Sequence, residues 1–427
     1  MEAILIKTVQ EKFIFLALKR MAGVALKILI VTQWFDPEPT VKGLLFAKTL
    51  VEHGHQVEVI TGFPNYPGGK VYDGYKIKAY QKELIDGVVI HRVPLYPSHD
   101  GSALKRIFNY VSFAASSLLC GLFKASNPDV IYSYHPPLTT SISALFIGMF
   151  RRAPFITDIQ DLWPDTLAAT GMLTNSKALA IVDKVCDFVY RRAAKIVVLS
   201  PGFKTRLVSK GIIASKIEVI YNWCDEGALM HSLATKLSLP ANDKLNVVFA
   251  GNLGFAQGLP SIVDAARQLS LRNVSANLVL IGDGVAKTAA QQQATDLQLD
   301  NIFFLPRVSM QEVGSLLKEA DALLVHLTDD ELFSITIPSR TQAYLAVGKP
   351  IIMGVDGDAA QLIADAQAGV CCKANSAQSL ADAVERLVAL DGDEREQMAK
   401  NAHDFYHNHL SLACGVKKFI AVFEEVM

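Results

Sequence analysis

The sequence predicts two successive α/β domains, each built on a doubly wound parallel sheet, and three observations carry that prediction. The chain has 427 residues, more than one hydrophobic core serves, so two domains are expected. Short apolar runs rich in β-formers alternate with helical stretches throughout, the pattern of parallel βαβ units. That series then restarts near residue 245. A composition that is 51% hydrophobic and 19% charged suits a well-buried sheet in each half.

In chain order, residues 1–20 come first. Lys7, Glu11 and Lys12 interrupt their apolar run, which makes a poor signal peptide. They read as an extension upstream of Met21; the functional alternative is an interfacial helix presenting Ile4, Leu5, Phe13 and Leu16 to lipid. Residues 21–222 form the first expected domain, with strands at 27–33, 56–61, 88–93, 129–134, 155–159, 195–200 and 217–222. Residues 223–405 form the second, with strands at 245–251, 277–282, 302–306, 322–327, 350–355 and 369–372. Two such sheets facing across a cleft would bind ligand there, because open α/β sheets take ligands at the carboxyl ends of their strands.

Charge separates the halves. Residues 1–222 hold 26 Lys and Arg against 17 Asp and Glu (+9), and residues 223–427 hold 15 against 25 (−10). The basic half points to a charged surface as partner. No basic run is interleaved with stacking aromatics, so anionic lipid is expected and nucleic acid is not. Ile107 to Phe123 is uncharged and flanked by Lys105, Arg106 and Lys124; Leu138 to Phe150 is followed by Arg151 and Arg152. Spanning a bilayer takes about 20 apolar residues, and Asn109, Ser112, Ser116 and Ser117 dilute the first run. Buried helices or a monotopic membrane contact are the two readings. Six scattered cysteines without a Cys-x-x-Cys pair read as reduced thiols of a cytosolic protein.

Two stretches of the second half converge on one chemistry. "GNLGFAQG" (251–258) follows a strand and opens a helix near 259, and glycines there let backbone approach a phosphate. "ITIPSRTQAYLAVGKPII" (335–352) reads as a helix starting at Pro338-Ser339, with Ser339 and Thr341 as capping residues. Its first turn carries Arg340 and no acid. Two helix N-termini with Arg340 beside them make a diphosphate site.

These residues also carry a resemblance. "TGFPNYPGGKVYDGY" (61–75), "RVPLYPSHDGS" (92–102), "DLWPD" (161–165), "NWCD" (222–225), "GNLGFAQG" and "IPSRTQAYLAVGKPII" stand in the order found in family 4 glycosyltransferases of the GT-B fold. Over roughly residues 25–425 the chain resembles the bacterial group of O-antigen and colanic-acid biosynthesis that includes N-acetylfucosamine transferases. The resemblance implies a retaining transferase with a nucleotide-sugar donor, UDP-linked, in the second domain and an acceptor in the first. It implies a lipid-linked saccharide as that acceptor, in O-antigen, capsule or colanic acid assembly on the inner face of the cytoplasmic membrane. No cofactor and no metal are implied, so Asp356-Gly357-Asp358 reads as loop chemistry. It also implies that the final helix, within 406–427, packs back on the first domain.

Carried onto this chain, the donor-binding residues are Gly43, Lys42, Gly251, Asn252, Gly254, Gln257, Ser339, Arg340 and Thr341. Two glutamates common in the family fall on Ile335 and Ala343, which cannot accept a hydrogen bond through their side chains. Asn252 and Gln257 stand where many members have cations, which leaves Arg340 as the main side-chain cation for the diphosphate. Asn65, Tyr66 and Tyr72 are suited to stack on or hydrogen-bond a sugar acceptor. Asp161 is the candidate to orient or deprotonate the acceptor hydroxyl, with His135 second; a helix cap or loop ion pair is the bland reading of the acids at 158, 161 and 165. His91 reads as structural. A GT-B nucleotide-sugar 2-epimerase and a non-catalytic sugar-nucleotide-binding partner are the competing functions.

Overall fold

The computed structural model describes residues 25–98, 103–169 and 171–427, so the expected extension at 1–20 lies outside the described residues. The chain divides into two compact units. The first holds the described residues through Leu199, with Lys204–Ile220 and Val416–Met427; the second holds Ser200–Phe203 and Tyr221–Gly415. The returning segment is therefore shorter than 406–427: the last helix is Leu412–Glu425, and the first unit takes the chain back only from Val416.

The first unit is built on β1 (Lys27–Val31), β2 (Gln56–Gly62), β3 (Gln81–Ile85), β4 (Val88–Val93), β5 (Val130–His135), β6 (Phe155–Ile159), β7 (Lys195–Val198) and β8 (Ile217–Val219). Their order is β3-β4-β2-β1-β5-β6-β7-β8, parallel except for β3 against β4. The antiparallel edge strand was not expected, because "QKELI" lacks an apolar face and lies mostly in solvent. The final helix closes this unit from one side. Phe419 meets the rings of Phe46 at 5.1 Å and Tyr132 at 5.6 Å, and Glu425 pairs with Lys195 at 2.7 Å.

The second unit carries β9 (Leu245–Ala250), β10 (Ala276–Ile281), β11 (Ile302–Leu305), β12 (Ala322–His326), β13 (Ile351–Gly354) and β14 (Gly369–Cys371). All pair in parallel, in the order β11-β10-β9-β12-β13-β14. Side chains alternate across the strands, so Val248 joins the core on one face while Val247 and Phe249 join the other. Each sheet reverses its order about one strand pair: β1 and β5 in the first, β9 and β12 in the second. Those two points are where each unit offers a crevice.

Candidate functional site

In the second unit β9 and β12 pair only through Ala322↔Val247 and Leu323↔Val248, then part. On the β12 side the backbone of Ala250 is left without a strand partner, and the hydroxyl of Tyr344 takes its place, 2.9 Å from Ala250 N. Tyr344 lies one turn along the helix Ser339–Val347 from Arg340, so both side chains share a face. The Arg340 guanidinium lies 4.2 Å over the ring of Phe249. A Cβ at Gly251, where φ is 148°, would stand 3.0 Å from Arg340 Nη2. Glycine is needed there both for the backbone angle and for clearance.

Arg340 is packed but not satisfied. Among the described residues its Nη1 has no hydrogen-bond partner, and the same holds for Thr341 Oγ1 and for Nε2 of His326, the last residue of β12. Burial lowers the proton affinity of the guanidinium, partly offset by Tyr344, yet an arginine stays charged at any working pH. A buried charge without a partner is costly. Arg340 Nη1 and Thr341 Oγ1 on this helix and His326 Nε2 at the end of β12 are positions suited to hydrogen-bond a polar anionic ligand. The helix end adds its dipole and the amides of Ser339 and Arg340, which have no intrahelical acceptor.

Several expected donor contacts need correction. Ser339 does not cap its helix: the N-cap position is Pro338, without a side-chain cap bond. Gln342 turns back instead, its amide within 3.0 Å of Pro338 O and 2.9 Å of Ser339 O. Thr341 is fully buried, its amide given to Pro338 O. The glycine loop is not an amide cradle. Gly251 N donates to Ile281 O, Leu253 N to Asp283 O, and Gly254 N to Gln257 Oε1. Gln257 is thereby used within the loop, and its carbonyl receives His326 Nδ1 at 2.8 Å. Gly251 and Gly254 therefore contribute space, not donors. Asn252 remains exposed between this loop and a second one, Gly282-Asp283-Gly284. That second glycine turn follows the strand 277–282 directly in the sequence.

In the first unit, the corrections are larger. Lys42 is fully buried, and its ammonium sits 2.7 Å from Asp158 Oδ2. Asp158 also receives the Tyr132 hydroxyl and Gln160 Nε2, each at 2.5 Å. The lysine expected at a donor phosphate is thus committed inward. Gly43 does precede a helix, Leu44–Glu52, but the anion at that helix end is the chain's own Asp36, which accepts Leu44 N at 2.6 Å. A Cβ at Gly43 would lie 2.2 Å from the same oxygen.

His135 is fully buried, and neither ring nitrogen has a partner among the described residues. Its ring packs edge-on against Trp163 at 5.5 Å and Tyr190 at 6.1 Å. Burial pushes its pKa down to about 3, so the imidazole is neutral and sealed, which removes it as an acid–base candidate. Asn65 is buried and donates to Phe63 O, and Tyr72 donates to Tyr66 O at 2.6 Å. Both spend those donors on bracing their own loop, while Tyr72 itself stays partly exposed. Tyr66 stays half-exposed beside Trp34. Asp165 pairs with Arg206 at 3.1 Å, and His91 bridges Tyr80 and Glu58. Asp161 is partly exposed, and burial of its carboxyl raises its pKa. A carboxyl that holds its proton more tightly is a better base when ionised.

Residues 235–405 match the family Glycosyl transferases group 1, and residues 44–223 match the Glycosyl transferase 4-like domain. WcaI of Escherichia coli (strain K12), by name a colanic acid biosynthesis glycosyl transferase, is 27% identical over 337 residues, 76% of this chain and 82% of its own length. Among solved structures, Anabaena Alr3699/HepE in complex with UDP superposes with a TM-score of 0.64 at 16% identity, covering 94% of this chain and all of that one. The same Anabaena protein is also solved with UDP-glucose. A glycosyltransferase from Rickettsia africae superposes with a TM-score of 0.64 at 16% identity, covering 94% and 98% of the two chains.

Proposed function

We propose, from the premise that the chain is a GT-B glycosyltransferase, that it moves a sugar from a UDP-linked donor to a lipid-linked saccharide with retention of configuration. The pathway is bacterial surface polysaccharide assembly, on the inner face of the cytoplasmic membrane. The observation that carries this reading is the orphaned Arg340 guanidinium beside a helix N-terminus, where the leaving diphosphate needs its charge stabilised. The bond from the anomeric carbon to the diphosphate breaks, and a new one forms to an acceptor oxygen. The hydroxyl proton goes to Asp161. UDP complexes of the Anabaena relative and the name of WcaI support the donor and the pathway.

Incubation with a panel of nucleotide sugars tests the reaction class. Slow release of nucleoside diphosphate is the expected result. Interconversion of donor isomers would make the chain an epimerase, and binding without turnover would make it a non-catalytic partner.

The membrane partner rests on an inverted helix. In Ala103–Phe123, Asn109 and Ser117 point into the fold: Asn109 receives Gln33 Nε2 at 2.5 Å, and Ser117 donates to Ser143 at 3.0 Å. Its opposite face exposes Leu104, Phe108, Val111, Leu119 and Phe123. Phe146, Met149 and Phe150 extend that apolar surface on the next helix, Leu138–Arg151. Polar residues inside and large apolar residues outside fit a helix that lies in an interface. The helix is long and apolar enough to cross a bilayer, but its polar face is tied into the fold.

Lys105, Lys124 and Arg152 are exposed at the ends of these helices, while Arg151 instead donates to Gly121 O and Leu122 O, and Arg106 to Met172 O. Each basic residue near an anionic surface adds about 1 kcal/mol, screened by salt. Vesicle co-sedimentation should rise with anionic lipid and fall with salt, and Phe108→Ser with Phe123→Ser should abolish it. Equal binding to neutral and anionic vesicles would contradict the reading.

A further inference from the structure

The second unit carries a histidine pair that the donor chemistry does not use. His403 lies in the last turn of the helix Gly392–Phe405. His407 lies in the π-helical turn Tyr406–Leu410 that follows it. Four residues apart on one continuous helical coil, the two side chains share a face. Their ring centroids are 4.2 Å apart, with the planes inclined by 56°. Both residues are exposed, so a dissolved ion reaches them.

That spacing is close to what one shared metal ion requires. Two imidazole nitrogens bound at about 2.0–2.1 Å, in neighbouring positions of one ion, place their ring centres about 4.5–5 Å apart. A small side-chain rotation covers the difference. Asp404 Oδ1 lies 3.5 Å from His403 Nδ1. A carboxylate on that side favours the proton on Nδ1 and leaves the Nε2 lone pair for a metal.

The surroundings favour a cation as well. His403 lines an open groove of about 540 Å³ with Gly348, Asp393, Glu396 and Lys400, where two acids stand against one lysine. The helix Ser339–Val347 ends at the same place. Gly348 is its C-cap, and a Cβ added there would lie 3.1 Å from His403 Cβ. A helix C-terminus carries partial negative charge. An ion on His403 would thus sit at the opposite end of the helix whose first turn holds Arg340.

We propose that His403 and His407 bind one late first-row divalent ion, of the class Cu²⁺, Ni²⁺ or Zn²⁺, with water in its remaining positions. Imidazole suits these ions, whereas Mg²⁺ and Ca²⁺ take oxygen ligands. Among the described residues no three metal-ligating side chains come together, so two nitrogens are what the protein supplies. Cu²⁺ binds tightest of the three by the general order of divalent affinities. The proposal does not depend on the transferase reading.

Electron paramagnetic resonance of Cu²⁺ tests it, in a Cys371→Ser protein that lacks the exposed thiol. One equivalent of Cu²⁺ should show two coordinated nitrogens. His403→Gln and His407→Gln should each leave one nitrogen and weaken binding by about 100-fold, the low end of what linking two binding groups adds. His231→Gln, at another exposed histidine, should change neither reading. All three variants should melt at the parent's temperature in metal-free buffer, because the replaced side chains are exposed. A two-nitrogen Cu²⁺ signal that survives both His403→Gln and His407→Gln overturns the proposal. So does a parent protein that shows a single coordinated nitrogen or none.

Discussion

Replacing Arg340 with methionine lowers affinity for UDP by about 10- to 150-fold, the worth of a hydrogen bond to a charged group at roughly 1.5–3 kcal/mol, without making the ligand-free protein less stable. The two halves of that expectation have one cause. The guanidinium rests on Phe249 with Nη1 unpaired among the described residues, so the fold bears the desolvation of a charge that its surroundings do not repay. Methionine fills similar space without that cost, though it gives up the cation–π contact. Calorimetry for UDP and thermal melting without ligand check both halves. Unchanged UDP affinity with a markedly lower melting temperature would make Arg340 a structural residue.

Lys42→Met has the opposite signature: it destabilises the protein by about 3–5 kcal/mol, the cost of removing one partner of a buried ion pair, and leaves UDP affinity intact. Both side chains of the Lys42–Asp158 pair are fully buried. Asp158 keeps its bonds from Tyr132 and Gln160, which hold the carboxylate in place after its counter-charge has gone. Removing Asp158 as well, in Lys42→Met with Asp158→Leu, should recover part of the loss, because no isolated charge is then left in the core. Urea unfolding of the single and double variants measures the difference. A Lys42→Met protein as stable as the wild type but blind to UDP would restore the phosphate role that the sequence had proposed.

That contrast shows which parts of this molecule are readable from its residues. Strands such as "KILIV" and "ANLVLI" declare themselves because buried parallel strands are continuous apolar runs. The edge strand "QKELI" does not, since a strand paired on one side and wet on the other needs no such run. Arg340 was legible because the spacing of Pro338 and Gly348 frames its helix and no acid stands in the first turn. Lys42 was misread because its partner, Asp158, comes from a strand far along the chain, and nothing beside Lys42 announces it. The same holds for the helix Ala103–Phe123. Its apolar length and basic flanks are sequence facts, but only Gln33 and Ser143 decide that the polar side faces inward. The amides of "GNLGFAQG" looked available for phosphate because backbone commitments to Ile281 and Asp283 leave no trace in the motif.

The loop after β2 was half legible. Tyr66 stood out in a loop rich in Pro, Gly and Tyr, but Asn65 and Tyr72 stood out equally and brace that loop from within. Trp34 and Tyr110 carry no local motif. Only the fold sets Trp34 against Tyr66 and Tyr110 against Trp163.

The central claim is that the crevice between β9 and β12 holds the donor's diphosphate on Arg340, and a crystal structure with UDP tests it most directly. The account predicts phosphate oxygens within hydrogen-bond distance of Arg340 Nη1 and of the Ser339 and Arg340 amides, with no bond to the amides of Gly251 or Gly254. UDP bound elsewhere, with the guanidinium still lying unpaired on Phe249, would contradict it.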